Sequence, residues 1–339
     1  MFTQKRNIWL SIAAAVLLLG GLSIYSVFGT FSGSDERFLY IDRDDTTDSV
    51  YHKLSDEGHF LSKTGFKLLA AVGNYATHLH PGRYDVGSGH STLTVFRQLR
   101  NGTETPVRLT IPVLRTSQDL SHFLAKHLEP STDAFAEILS DTLALAQYGQ
   151  TPETAVCLFI PNTYEVYWSL TPEELLSRMQ KEAQHYWNNE RLQKAKEAGL
   201  TPNEVITVAS IVEQETAYNP EKPMVAGMYL NRVRKNMPLQ ADPTVKFALG
   251  NFALRRILHE HLKVDSPYNT YKNAGLPPGP ICIPSMASIE AVLNFARHDY
   301  LYMCAKEDFS GSHNFAVTYA DHLKNAAKYT SALNQRGIR

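Results

Sequence analysis

The sequence predicts an α+β protein carried on an N-terminal membrane-spanning helix. Three observations predict it: an uncharged apolar run near the start, early alternation of short strand and helix patterns, and a later capped apolar helix among loops rich in proline and glycine. Ile8 to Phe28 holds no charged residue across 21 positions. At about 1.5 Å rise per residue such a helix reaches roughly 30 Å, the thickness of a bilayer core. A cleaved signal peptide is the competing reading, but its apolar core is only about 7–15 residues long, and here Ala13 to Ala15 lie inside the run rather than after it. Lys5 and Arg6 are the only charges ahead of the span. Positive charge stays inside, so residues 1–7 are expected in the cytoplasm, 8–28 in the membrane and the rest outside. Residues 29–36 read as a Gly/Ser-rich flexible linker.

Residues 37–112 have the pattern of a small mixed module. Phe38 to Ile41 reads as a strand, Asp48 to Ser55 and Thr64 to Tyr75 as helices, and Arg83 to Val86 as a strand after the turn Pro81-Gly82. A helix over Leu93 to Leu99 stops at Asn101-Gly102, and Val107, Leu109 and Ile111 then alternate with polar residues as in a half-buried strand. Residues 113–200 form a connecting, largely helical region. Ser117 to Gly149 reads as helical, Val156 to Ile160 as a short apolar strand, and Pro172 to Ala198 as one long polar helix, a strut or a solvated surface helix, begun by Thr171 and ended by Gly199. In residues 201–335, Thr201-Pro202-Asn203-Glu204 is a capping box that launches Val205, Ile206, Val208, Ala209, Ile211 and Val212. A helix over Lys222 to Lys235 follows, then a stretch punctuated by Asp242-Pro243, Ser266-Pro267 and Gly275 to Gly279. Loops of that kind on a rigid scaffold are where sites are usually built.

Acidic and basic residues nearly balance, at 34 against 33. They form no basic stripe of the kind that nucleic-acid binding requires, so no nucleic-acid partner is expected. Cys157, Cys282 and Cys304 are widely spaced and read as buried small apolar residues, with one disulfide left open. The closest histidine pairs, His78-x-His80 and His259-Glu260-His261, are two residues apart and no HExxH occurs, so neither a metal nor another cofactor is expected.

The chemistry concentrates where the apolar helix ends, at Glu213 and Glu215. At 100° per residue the two acids fall about 80° and about 280° from Val205, flanking the stripe on opposite sides, so spacing does not choose between them. Partial desolvation at such an edge is expected to raise a carboxyl pKa from about 4.3, as a general acid near neutral pH needs.

The stretch Ala209-Ser-Ile-Val-Glu-Gln-Glu-Thr216, with Val225-Ala226, Asn231-Arg232, Leu239 to Val245, Ser266 to Tyr271 and Gly275 to Ile281, resembles the YceG-like, MltG-type endolytic murein transglycosylases. Ala291 to Asn294, Tyr300 to Tyr302 and His313-x-Phe315 extend the likeness, and Phe38 to Pro112 resembles that family's LysM-like module. The resemblance implies a carbon–oxygen lyase of the bacterial cell wall, anchored in the inner membrane with its catalytic domain (residues 201–335) in the periplasm. It would cleave peptidoglycan glycan strands between N-acetylmuramic acid and N-acetylglucosamine to leave 1,6-anhydro ends. It also implies one catalytic glutamate, the first acid of the motif, Glu213, in a groove between domains. Glu215, Tyr218, Arg232, Gln240, Asp242, Tyr268, Asn269, Tyr271 and His313 would support it or bind sugar. Cell-wall synthases (penicillin-binding proteins) and the division or elongation machinery are the implied partners. A hydrolytic muramidase and a non-catalytic glycan-binding scaffold are the rival readings. One departure stands out: where the family has Glu-His-Asn-Arg, this chain has Asp321-His322-Leu323-Lys324.

Overall fold

The first helix, α1 (Phe2–Phe28), leaves its apolar side chains exposed, Leu17 at 77% and Trp9 at 71%. From Arg6 to Phe28 it is long and apolar enough to cross a membrane. The computed structural model describes residues 2–33, 35, 37–254 and 256–336. The described chain forms two compact units: Met1–Leu109 with His127–Pro130 and Tyr164–Thr171, and Thr110–Lys126 with Ser131–Thr163 and Pro172–Arg339.

In the first unit the segment after α1 departs from the flexible linker expected over 29–36, of which 34 and 36 lie outside the described residues. Phe31 is wholly buried and its N–H donates to the His90 carbonyl at 2.9 Å, while the Ser62 hydroxyl donates to the carbonyl of Thr30 at 2.9 Å. Burying this single aromatic ring among small polar residues contributes about 2 kcal/mol to docking the segment. Strand β1 (Phe38–Ile41) falls where expected, followed by helices α2 (Thr47–Glu57) and α3 (Phe60–Val72). It pairs antiparallel with β2 (Gly82–Asp85), placing Leu39 opposite Tyr84. Helix α4 (Thr92–Asn101) ends on Gly102, whose φ of 65° is the left-handed conformation glycine tolerates. Phe66 fills the centre, edge-on to Phe31, Tyr75 and Phe96.

Strand β3 (Val107–Thr110) forms a two-stranded sheet with β4 (Thr163–Val166). Between them, in the second unit, α5 (Ser117–His127), α6 (Thr132–Ser140) and α7 (Thr142–Ala146) occupy the stretch expected to be helical. The run Val156 to Ile160 is not the strand expected. It belongs to a tight helical turn, Ala155–Leu158, closed by local bonds such as the Cys157 N–H to the Thr154 carbonyl at 2.8 Å. All of these residues are buried, and an unbroken apolar run fits a buried turn as well as a buried strand. The long helix expected over 172–198 is two, α8 (Pro172–Tyr186) and α9 (Asn189–Ala198). Asn188 breaks it: in extended backbone, it accepts the Arg191 N–H and starts the second helix as its N-cap.

Helix α10 (Pro202–Glu215) begins with the capping box as expected. It does not carry a one-sided stripe, because every residue from Val205 to Val212 is buried, Thr207 and Ser210 included. Its interior position comes from the helices packed around it, α9 and then α11 (Lys222–Arg234), α12 (Asp242–Ala248) and α13 (Met286–Leu293). The latter two lie in the region read as loops, each with a start signal, Pro243 in the first turn of α12 and Ser285 as the N-cap of α13. The hairpin β5 (Tyr302–Ala305) with β6 (His313–Ala316) and helix α14 (Tyr319–Gln335) complete the unit. All three cysteines are free thiols, Cys157 and Cys282 buried as expected.

Candidate active site

Because α10 is enclosed by other helices, its two terminal acids emerge into different surroundings. Glu213 points to the start of α13 and to α11. Its Oε2 accepts from Lys222 Nζ at 3.1 Å, the Ser285 N–H at 3.1 Å, and the hydroxyls of Ser285 and Ser288 at 2.5 Å each. Lys222 is only 3% exposed and Glu213 17%. Burial on its own would raise the Glu213 pKa, but the two serine hydroxyls and the Lys222 ammonium outweigh it and hold the carboxyl below the ordinary carboxylate range. The expectation that the edge of the core would raise this group is therefore corrected. Donors from elements distant in sequence stabilise its charged form.

Glu215 meets the opposite environment. Among the described residues its Oε1 accepts one hydrogen bond, from the Tyr229 hydroxyl of α11 at 2.5 Å. Burial pushes its pKa up to about 6; the charge of Asp242 adds to this, while the Tyr229 bond and the charges of His313 and Lys246 pull the other way. It lines a cavity of about 260 Å³ together with Arg232, Gln240, Asp242, Tyr271 and His313, and with Tyr229, which the sequence did not single out. Six of the ten residues predicted for the site thus converge.

Each of these is held in place. Arg232, 6% exposed, donates from Nε to the Leu301 carbonyl at 2.6 Å and from one terminal nitrogen to the carbonyls of Pro238 and Leu239 at 3.1 and 2.8 Å. Rather than bridging two helices, it fixes the cavity rim through backbone. Gln240 on that rim has a φ of 50°, the left-handed region that a non-glycine residue occupies at a cost of order 1–3 kcal/mol. The Tyr271 hydroxyl donates to Asp242 Oδ1 at 2.6 Å. His313 on β6 is oriented by Glu221, whose Oε2 lies 2.8 Å from Nδ1 and whose Oε1 accepts the His313 N–H at 2.7 Å. Among the described residues the ring's Nε2 has no hydrogen-bond partner, and the ring lines the cavity.

The other predicted residues lie apart from this group. Asn269 is wholly buried, and its amide donates to the carbonyls of Leu262 and Val264 while its oxygen accepts the Tyr271 N–H, which makes it a loop tie. Tyr268 packs on Phe247 at 4.7 Å, and Tyr218 is 54% exposed. Leu276 to Pro278 border a separate concavity with Thr201 and Glu204 at the far end of α10, not the wall beside Glu215. Lys222, Tyr229, Glu221, Ser285 and Ser288 escaped the sequence reading. Only Ser285 carried a signal, as a hydroxyl before an apolar run. A larger concavity of about 650 Å³ holds Glu197, Arg234, Arg297 and Asp299. It mixes charges of both signs. The smaller cavity is the one that holds Glu215, whose carboxyl burial pushes up to about 6.

Residues 39–328 match the sequence model of the YceG-like family. A protein of Bacillus subtilis named endolytic murein transglycosylase is 38% identical over 164 residues, 48% of this chain and 44% of that protein. A protein of the same name from Streptococcus pneumoniae is 31% identical over 302 residues, covering 79% of this chain and 53% of that one. The chain spans about half the length of the curated relatives it matches. A 2.6 Å crystal structure of a YceG-like protein from Listeria monocytogenes aligns with a TM-score of 0.54 at 26% identity, covering 86% of this chain and 99% of that one.

Proposed function

The chain belongs to the YceG-like family, and we propose that it is an endolytic lytic transglycosylase of peptidoglycan whose proton-transfer residue is Glu215. The observation that carries the reading is a carboxyl pushed up to about 6 inside a cavity lined by polar and aromatic groups. Such a group is still partly protonated near neutral pH, as a general acid must be, and its conjugate base is strong enough to take a proton back. The role first given to Glu213 passes to Glu215, because Glu213 is held as an anion by four donors.

Protonated Glu215 gives its proton to the glycosidic oxygen leaving C1 of N-acetylmuramic acid, and the C1–O bond breaks with oxocarbenium character. The C6 hydroxyl of the same sugar attacks C1 while the Glu215 carboxylate removes its proton. The products are a 1,6-anhydro end and a free 4-hydroxyl, with no water consumed. One carboxyl suffices because the nucleophile is intramolecular and carries a large effective concentration. Helix α1 spans the membrane with residues 1–7 inside, the LysM-like module (37–112) holds glycan, and cutting near the membrane would trim nascent strands beside cell-wall synthases.

Asp242 favours one second reading, since it is another carboxyl lining the same cavity and a hydrolase would use it to activate water. Digestion of purified sacculi by the full chain in detergent decides between them by product mass. Anhydro ends, one water lighter than reducing ends, are expected. Glu215→Gln should lower the rate at least about a thousandfold, and full activity in that variant removes Glu215 from the chemistry.

A further inference from the structure

Beside the catalytic cavity lies a small recess lined by Arg115, Gln214, Pro243, Lys246, Phe247 and Phe252, all in the second unit. No acidic side chain lines it, and among the described residues neither Arg115 nor Lys246 forms an ion pair. Two cations from separate elements, one following β3 and one on α12, are thus brought together with no carboxylate among the described lining residues. Arg115 is fixed by stacking, its guanidinium 4.9 Å from the ring of Phe252. Phe252 leans on Phe247 at 6.4 Å, and Phe247 on Tyr268 at 4.7 Å, so the cations stand against an aromatic wall.

Its position links the recess to the reaction. Gln214 stands between the two acids of α10, and Pro243 follows Asp242 of the catalytic cavity. Lys246 is close enough to Glu215 for its charge to lower that group's pKa. With room of about 60 Å³, the recess is too small for a sugar ring but takes a carboxylate. The sugar rings of peptidoglycan carry no formal charge, and its anionic groups sit on the peptide branches of the muramic acid residues.

We infer that Arg115 and Lys246 form a carboxylate-binding subsite for the acidic peptide stem of a sugar bound next to Glu215, so that the protein selects stem-bearing over denuded strands. The inference rests on the proposed function for the identity of the polymer, but binding tests it without any turnover. The full chain carrying Glu215→Gln, in detergent, is titrated with uncross-linked glycan strands bearing tetrapeptide stems and with the same strands stripped by an amidase, the lactyl carboxylates that this frees being capped as amides. Stem-bearing strands should bind about tenfold tighter at low salt, the size of one or two charge-assisted contacts. Adding Arg115→Gln and Lys246→Gln should bring that ratio close to one, and Arg115→Lys with Lys246→Arg should restore most of it. Lys246→Gln alone, a partly exposed position, should remove part of the ratio with an unchanged melting temperature. Equal affinity of the starting protein for both strands, or a ratio that survives the double substitution, overturns the subsite. Selective binding by a wild-type chain that cuts neither strand would instead defeat the catalytic reading and leave the subsite standing.

Discussion

Tyr229→Phe removes a single oxygen atom and tests how the proposed acid is tuned. The Tyr229 hydroxyl is 2.5 Å from Glu215 Oε1 and is the one hydrogen bond that carboxyl accepts among the described residues. It stabilises the ionised form, so it opposes the burial that pushes Glu215 up to about 6. A bond to a charged group is worth about 1.5–3 kcal/mol, and 1.36 kcal/mol corresponds to one pH unit. With part of the loss recovered by water, the pKa of Glu215 should rise by about one unit in the variant. The acid must be protonated to act, so kcat/KM on glycan strands falls as pH rises through the Glu215 value. That descending limb should move from about pH 6 toward about pH 7, measured by release of anhydro-ended fragments between pH 4.5 and 8.5. A limb that stays where it was, in a variant of normal stability, refutes the claim that Glu215 is the titrating acid and that Tyr229 sets its proton affinity.

Glu213→Gln should act on stability first, because it strands a lysine that is 3% exposed. Losing one partner of such a pair costs about 3 kcal/mol and should appear as a clear drop in melting temperature, whereas Glu215→Gln should melt at or above the parent. The pH dependences should also oppose. Glu213 lies below its ordinary value when folded, so its contribution is present above that value and lost as pH falls through the folded one. Glu215 lies above its ordinary 4.5, so the folded state loses about 2 kcal/mol as pH rises from there through about 6. A Glu213→Gln protein of unchanged stability would end this division of roles. Gly227→Ala places a Cβ 2.2 Å from the Ala296 carbonyl oxygen and 2.8 Å from His298 Nε2. Backbone cannot give way there cheaply, so a loss of at least about 2 kcal/mol is expected, read by chemical denaturation.

Local signals were legible wherever a residue acts through its neighbours. The capping box at Thr201, the left-handed stops at Gly102 and Gly199, the strand Phe38 to Ile41 and the apolar helix near the N-terminus depend on sterics, side-chain caps and composition within a few positions. The reading failed where distant partners chose the outcome. Val156 to Ile160 is a turn rather than a strand because it is buried on all sides instead of finding a pairing partner. The polar run from Pro172 breaks at Asn188 because that residue could serve equally well within a solvated helix or as a cap. Helices α12 and α13 were hidden in a segment whose prolines and glycines looked like loop punctuation.

The two acids of α10 show the same boundary most clearly. The sequence by itself determined that a capped apolar helix ends in two carboxyls on opposite sides, since helical geometry and the spacing of Glu213 and Glu215 leave no other arrangement. Only the tertiary structure decided which of them is a fixed anion and which keeps its proton toward neutral pH. The proton affinity of a buried carboxyl is set by the donors around it. Here those donors come from positions as far as 75 residues along the chain, at Ser288 for one acid, and from Tyr229 for the other.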